Sequence, residues 1–77
     1  MKVIVYTSSS CPYCMMVKKF LKENGVKFKE INITRHPSAA KELMRKTGQT
    51  GVPVTLTGSH KIVGFDEPKL RRILKVK

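Results

Sequence analysis

Two cysteines, Cys11 and Cys14, enclose a proline and a tyrosine, and the 77-residue chain has no other cysteine. A disulfide across so short a loop removes little entropy from the unfolded chain, so it would be a poor structural staple. In a reducing compartment an isolated pair with this spacing is more often catalytic or metal-binding. A redox-active pair is the favoured interpretation, and half of a zinc site is the alternative.

A helix start at this pair would make the two thiols unequal. Pro12 favours the first position of a helix, which places Cys11 at the N-terminus and Cys14 one turn further in. Unpaired N–H groups and the helix dipole favour an anion there, and they lower the pKa of a thiol from about 8.5 to roughly 3.5–7.5. We predict that Cys11 attacks a target sulfur and that Cys14 releases the mixed disulfide. Lys18, two turns along the helix, is expected to add only weak, screened positive potential.

A zinc site would need two more ligands, and the only histidines are His36 and His60. The first is predicted at a helix start and the second after a hairpin turn, so they are not expected to converge on the cysteines. We predict no metal site.

The first half of the chain predicts a strand, a helix and a second strand. Residues 3–6 form a continuous apolar run, which is typical of a strand covered on both faces. The helix that follows buries a stripe at i, i+3 and i+4 and ends at Asn24-Gly25. A second strand is predicted over residues 26–33, with Phe28 and Glu30 on one face and Ile31 and Ile33 on the other.

The second half predicts a helix, a hairpin and a last helix. One helix begins at His36-Pro37 and stops at Gly48. Strands over residues 52–57 and 60–63 flank Gly58-Ser59, which favours a type II′ turn. Asp66 can cap the last helix, whose apolar stripe consists of Leu70, Ile73 and Leu74.

The order β-α-β-α-β-β-α indicates an α/β fold. Because a helix crosses between them, the first two strands should be parallel, and the last two should form an antiparallel hairpin. The result is a four-stranded mixed sheet flanked by three helices. We predict one domain over residues 1–77 that can work as a monomer.

Three short motifs resemble those of glutaredoxins, and the resemblance extends over essentially the whole chain. They are Cys11-Pro12-Tyr13-Cys14 (the CPYC motif) after the first strand, Gly51-Val52-Pro53 before the third, and Gly64-Phe65-Asp66 after the fourth. The resemblance implies a thioredoxin fold and a cis peptide bond between Val52 and Pro53. It further implies that the backbone of Val52 pairs with the substrate cysteine, that Pro53 shapes the groove, and that Tyr13 and Asp66 contact glutathione.

The same resemblance implies a dithiol–disulfide oxidoreductase in electron transport and cell redox homeostasis. Its substrates would be protein disulfides or glutathione mixed disulfides, with glutathione as co-substrate and no bound cofactor. Two motifs disagree about the reductant. Gly64-Phe65 is similar to redoxins that serve ribonucleotide reductase and are reduced by the flavin-dependent thioredoxin reductase, whereas Asp66 is similar to glutathione binders. Gly51 also stands where glutaredoxins usually have threonine.

Simpler interpretations stand beside these roles. Tyr13 is a substrate wall or an exposed aromatic, Pro53 an active-site or strand-start proline, and Asp66 a helix cap with or without a glutathione contact. Phe65 packs in the core or meets a partner. Met15 and Met16 pack on the helix or line the rim of the site.

Composition limits the partners and the location. The 16 basic residues outnumber the 5 acidic ones but are spread along the chain. This favours a solvated surface, with an anionic protein partner as the alternative; aromatic residues are too few for a nucleic-acid groove. No apolar run approaches the roughly 18 residues of a membrane span, and the N-terminus does not resemble a signal peptide. We therefore expect a cytoplasmic protein.

Overall fold

The computed structural model describes residues 2–48 and 51–75, and these form seven elements in the predicted order. They are β1 (Val3–Thr7), α1 (Pro12–Glu23), β2 (Lys29–Asn32), α2 (Pro37–Thr47), β3 (Val54–Thr57), β4 (His60–Val63) and α3 (Glu67–Leu74).

The four strands form one mixed sheet in the order β2-β1-β3-β4. β1 pairs in parallel with β2, with Val5 opposite Glu30, and antiparallel with β3, with Val5 opposite Thr55. β3 and β4 form the antiparallel hairpin. Both predicted strand orientations are confirmed. The central position of β1 explains its continuous apolar sequence, because a central strand is covered on both faces.

Alternate residues of β1 face two separate cores. Val3 and Val5 pack with Val17, Phe20 and Leu21 of α1, and α3 adds Leu70 to this first core. On the other face Ile4 and Tyr6 pack with α2, through Ala39 and Leu43. Helices α1 and α3 therefore cover one face of the sheet and α2 covers the other.

The predicted distribution of side chains between the two faces of the second strand is confirmed, but the predicted length is not. Phe28 joins the first core, while Ile31 and Ile33 join the second. The strand covers only Lys29–Asn32 rather than residues 26–33. At the start of the predicted strand, two N–H groups cap the end of α1 instead. That of Gly25 donates to the carbonyl of Lys22 (3.1 Å), and that of Val26 donates to the carbonyl of Leu21 (2.8 Å). This is the Schellman arrangement of a helix end, so Val26 does not take part in the ladder.

At the other end of β2, the side chain of Asn32 turns the chain. Its Oδ1 accepts the N–H groups of Thr34 (2.9 Å) and Arg35 (3.3 Å), which is an Asx turn. A strand cannot continue through it.

The third strand also begins later than predicted. It starts at Val54 instead of Val52, because Pro53 has no N–H for a ladder. The hairpin turn after it agrees with the prediction. Gly58 has φ of 56°, and Lys75 is the only non-glycine residue with positive φ in the described ranges. Ser59 therefore has negative φ, and this combination of signs is that of a type II′ turn.

Candidate redox site

The two cysteines lie at the start of α1, as predicted. Cys11 is the N-cap and Pro12 the first helical residue, so the loop after β1 delivers Cys11 to the helix end. The two sulfur atoms form a disulfide contact, with the Cα atoms 5.2 Å apart. Cys11 Sγ accepts the N–H of Cys14 at 3.2 Å. The sulfur thus takes the place of the oxygen in an ordinary N-cap and satisfies one of the donors left free at the helix end.

The two thiols differ in accessibility. Cys14 is 1% exposed and belongs to the buried face of α1, whereas Cys11 is partly exposed. A bulky substrate can therefore approach the sulfur of Cys11 but not that of Cys14.

A second segment, Val52-Pro53, lies against the pair. The carbonyl oxygen of Val52 is 3.8 Å from Cys11 Sγ. The predicted cis bond between Val52 and Pro53 is present, and the side chain of Pro53 is fully buried. The backbone of Val52 is therefore the main-chain group that faces the reactive sulfur.

A third segment joins the site through the backbone. The N–H of Gly64 donates to the carbonyl of Pro53 at 2.8 Å. Two residues on, Asp66 caps α3, with its Oδ1 accepting the N–H of Lys69 at 3.2 Å. The structure thus brings together all three motifs singled out in the sequence.

Phe65 packs inward, in agreement with the core interpretation. Its ring lies edge-on to that of Phe20, with centroids 6.1 Å apart, and it packs against the first core. Arg71 lies over the same Phe20 ring, 5.1 Å from its centroid. These contacts attach the start of α3 to α1, so the Asp66 segment is held at a fixed position relative to the cysteines.

The side chains next to the cysteines point outward. Tyr13 is 60% exposed, Met15 68% and Met16 44%. Neither methionine packs in the core, which favours the rim interpretation over the packing one. Tyr13 is available as a wall beside Cys11.

A polar network beneath α1 was not predicted from the sequence. Thr7 Oγ1, buried at the end of β1, donates to Glu30 Oε2 at 2.8 Å, and Lys18 Nζ reaches the same oxygen at 3.0 Å. The hydrogen bond from Thr7, and then that from Lys18, lower the pKa of the Glu30 carboxyl. Because the ammonium group of Lys18 is paired with Glu30, it adds even less positive potential at Cys11 than the sequence predicted.

We predict that Glu30→Gln destabilises the protein by about 0.5–1 kcal/mol at neutral pH, since the pair is partly exposed. Because the pKa of Glu30 is lower in the folded than in the unfolded chain, the carboxylate stabilises the fold above about pH 4.5. This contribution is lost as the pH falls through the folded pKa. Urea unfolding at pH 7 and at about pH 3 should show a larger difference between wild type and variant at pH 7. Glu42→Gln, which removes a surface ion pair with Lys46, is the control with a smaller effect.

No cluster of three or more possible metal ligands is found among the described residues. His36 and His60 are both exposed. Within the same ranges, no helix is long and apolar enough to cross a membrane.

A four-stranded mixed sheet with three helices, a Cys-x-x-Cys pair capping the first helix and a cis-proline opposite the pair define a thioredoxin-like thiol–disulfide oxidoreductase. The glutaredoxin family model matches residues 3–62, and the chain belongs to that family. It is 40% identical over 65 residues to a glutaredoxin of Pseudomonas aeruginosa, which covers 84% of this chain and 77% of the relative.

Two solved structures extend the comparison. The glutaredoxin-like protein NrdH-redoxin of Escherichia coli, which has a thioredoxin-like activity profile, superposes with a TM-score of 0.85 at 32% identity, covering 95% of both chains. A buckwheat glutaredoxin–glutathione complex superposes with a TM-score of 0.75 at 25% identity, covering 95% of this chain and 69% of that one. The predicted thioredoxin fold and the predicted oxidoreductase class are confirmed.

Proposed function

We propose that the protein reduces protein disulfides and glutathione mixed disulfides through a Cys11–Cys14 dithiol. The Cys11 thiolate attacks one sulfur of the substrate disulfide and expels the other as a thiolate. The Cys14 thiolate then attacks Cys11 Sγ and expels the second substrate thiolate, so two electrons pass to the substrate and the protein is left with a disulfide. The observation that carries this proposal is the position of Cys11 Sγ. This sulfur caps the N-terminus of α1 and lies 3.8 Å from the carbonyl oxygen of Val52.

The order of attack follows from exposure and from the helix end. The more accessible sulfur is that of Cys11, and it is also the one at the N-terminus of α1, where an anion is favoured. Cys14 is buried, so it reaches only a sulfur that is already bonded to Cys11.

The substrate chain would run between Tyr13 and the Val52-Pro53 segment. Val52 precedes β3 and stands outside the ladder, so its backbone is open to an extended substrate chain as one additional rung. Pro53 would form the floor of this substrate groove, and the ring of Tyr13 would form the wall opposite Val52.

Glutathione is the reductant that we propose first. Asp66 would attract the ammonium of its γ-glutamyl end, and the start of α3 would receive the carboxylate. Pro68 has no N–H and the N–H of Lys69 is occupied by the cap, which leaves the N–H of Glu67 as the donor for that carboxylate in the first turn. A glutathione complex of a structural neighbour supports this assignment.

A second candidate reductant is a flavin-dependent thioredoxin reductase. The similarity to NrdH-redoxin over nearly the whole length of both chains favours it, as does Gly64-Phe65. In this case the oxidised protein receives electrons by exchange with a reductase dithiol, and Asp66 serves only as the cap of α3.

Two coupled assays separate these reductants. Reduction of a disulfide substrate is followed with NADPH, glutathione and glutathione reductase, and in parallel with NADPH and thioredoxin reductase. Efficient turnover in the first assay supports glutathione. Turnover confined to the second would contradict our first assignment and establish the alternative.

Asp66→Asn gives a finer test, because asparagine caps a helix about as well as aspartate but carries no charge. We expect stability to be retained and the KM for glutathione to rise about tenfold, corresponding to one lost charge-assisted contact of about 1.4 kcal/mol. Asp66→Ala, which also removes the cap, should in addition cost about 1 kcal/mol of stability. An unchanged KM in Asp66→Asn would show that Asp66 has only the capping role.

We place this activity in the cytoplasm, in a single domain over residues 1–77 acting as a monomer. The support for the compartment is that disulfides of cytoplasmic proteins are usually transient and catalytic, as a lone, closely spaced pair would be.

A further inference from the structure

Exposed apolar side chains are concentrated beside the redox pair. Five large hydrophobic residues are strongly exposed in the described ranges, and three of them, Tyr13, Met15 and Met16, lie within five positions of Cys11. Such a concentration on a small protein marks an interaction surface more than chance exposure. Methionine is also the apolar side chain that adapts most readily to different partners.

Basic side chains lie next to these apolar residues, further along α1. Lys19 follows Met15 by four residues and Lys22 follows by seven, so all three lie on one helix face. Together with Lys18 and Glu23 they line one shallow groove. Lys18 is paired with Glu30, but neither Lys19 nor Lys22 forms a salt bridge with another described residue.

Few negative charges remain elsewhere to balance this surface. Three of the five acidic residues, Glu30, Glu42 and Glu67, form ion pairs with neighbouring basic side chains. Asp66 caps α3. Glu23 lies at the far end of the groove, and Glu30, which is ion-paired with Lys18, is also close enough to Lys22 for that charge to help lower its pKa. These two carboxylates leave the surface positive, and the chain has a net charge of +11.

We propose that the α1 docking face, defined as Met15, Met16, Lys19 and Lys22, binds an acidic and partly apolar segment that flanks the reactive disulfide of a protein substrate. This inference rests on the proposed function and names its preferred substrates. The methionines receive the apolar side chains of the segment, and the two lysines receive its carboxylates.

The spacing fixes where the carboxylates should lie. Along α1, Lys19 is about 12 Å and Lys22 about 16 Å beyond Cys11, at 1.5 Å per residue. An extended peptide spans roughly 3.3–3.6 Å per residue. Carboxylates about three to five positions from the reacting cysteine would therefore reach the two lysines.

The probes are two synthetic peptides of equal length, each with one disulfide. One carries alternating Glu and Leu at those positions, and the other carries alternating Lys and Leu. The protein is reduced beforehand, freed of reductant and mixed rapidly with each peptide, so the measured rate constant does not depend on the physiological reductant. We expect the acidic peptide to react about tenfold faster at about 0.01 M salt, and the difference to shrink to about twofold at about 1 M.

A matched pair of double variants separates the docking face from overall charge. Lys19→Glu with Lys22→Glu should remove the preference for the acidic peptide. Lys41→Glu with Arg45→Glu changes the net charge equally on α2, which covers the other face of the sheet, and should keep at least half of the preference. Equal effects of the two double variants would overturn the proposal, because the preference would then belong to the protein's total charge.

The methionines are tested with Met15→Gln and Met16→Gln combined. We expect a threefold or greater loss of rate with the acidic peptide at about 1 M salt, where the charge effect is screened. An unchanged rate there would remove the methionines from the docking face. Hydroxyethyl disulfide, which is too small to reach α1 beyond the cysteines, is the reference substrate. If it reacts normally but the two peptides do not differ, only the docking face is refuted; if it does not react, the proposed function itself fails.

Discussion

Replacing Cys11 by serine should abolish every thiol–disulfide exchange reaction of the protein, with a loss of at least about a thousandfold, as for removal of an enzymatic nucleophile. Cys14→Ser should have a divided effect. Cys11 attacks the glutathione sulfur of a glutathione mixed disulfide and expels the target thiolate. Free glutathione then attacks that sulfur, releases the Cys11 thiolate and leaves as glutathione disulfide, so this reaction does not need Cys14. A protein disulfide leaves the substrate bonded to Cys11, and without Cys14 that intermediate accumulates.

The measurement compares initial rates of both variants with a glutathionylated peptide and with a protein disulfide. The trapped intermediate gives a second readout, because Cys14→Ser should form a covalent complex with the protein substrate that mass spectrometry detects and excess thiol dissolves. Both variants should fold, since a serine oxygen caps a helix well and each change is nearly isosteric. A trapped complex with Cys11→Ser in place of Cys14→Ser would reverse the assigned roles, and full activity in both variants would refute them.

The reactivity of Cys11 can be examined without a substrate. In Cys14→Ser, alkylation of the remaining thiol by iodoacetamide should reach half of its maximal rate at a pH below about 8.5, the value for a free cysteine. A half-maximal pH at or above that value would remove the physical basis for attack by Cys11.

Local patterns were enough to predict the elements and their order. Each helix is marked by a proline in its first turn, and α2 by a glycine after its end, so Pro12, Pro37, Gly48 and Pro68 stand close to the observed helix ends. The chain positions of the three motifs followed from the resemblance, and the backbone then brings them to one place. One hydrogen bond, from the N–H of Gly64 to the carbonyl of Pro53, completes that arrangement.

Features that depend on register could not be predicted. Thr7 and Glu30 meet only because Val5 lies opposite Glu30 in the parallel pair, which places Thr7 and Glu30 on the same face of neighbouring strands. The sequence contains neither the register nor the direction of the Lys18 side chain. The boundaries of β2 were wrong for a similar reason, since the N–H of Val26 has two possible partners and the helix cap takes it.

Leu21→Ala should cause the largest loss of stability among single substitutions considered for this chain. Leu21 is completely buried in the first core, between α1 and the sheet. Truncating a buried leucine costs about 2–5 kcal/mol, because apolar contact is lost and a cavity remains. A domain of this size has roughly 4–12 kcal/mol in total, so at about 3 kcal/mol the melting temperature should fall by about 12–24 °C.

Met44→Ala on α2 is the control, since Met44 is 46% exposed and its truncation should change stability by no more than about 0.5 kcal/mol. Urea unfolding followed by circular dichroism measures both variants. A loss below about 1 kcal/mol in Leu21→Ala would mean that the first core collapses around the cavity and that α1 is held mainly by other contacts.

The same variant tests whether stability and chemistry are separable. Leu21 lies seven residues beyond Cys14, about 10 Å along the helix axis, and it belongs to the first core, whereas Val52 packs against the second. We therefore expect Leu21→Ala, kept at a temperature where it is folded, to exchange disulfides at the wild-type rate per folded molecule. A slower rate at full folding would show that the packing of the middle of α1 against the sheet, and not the helix end alone, holds the sulfur of Cys11 opposite Val52.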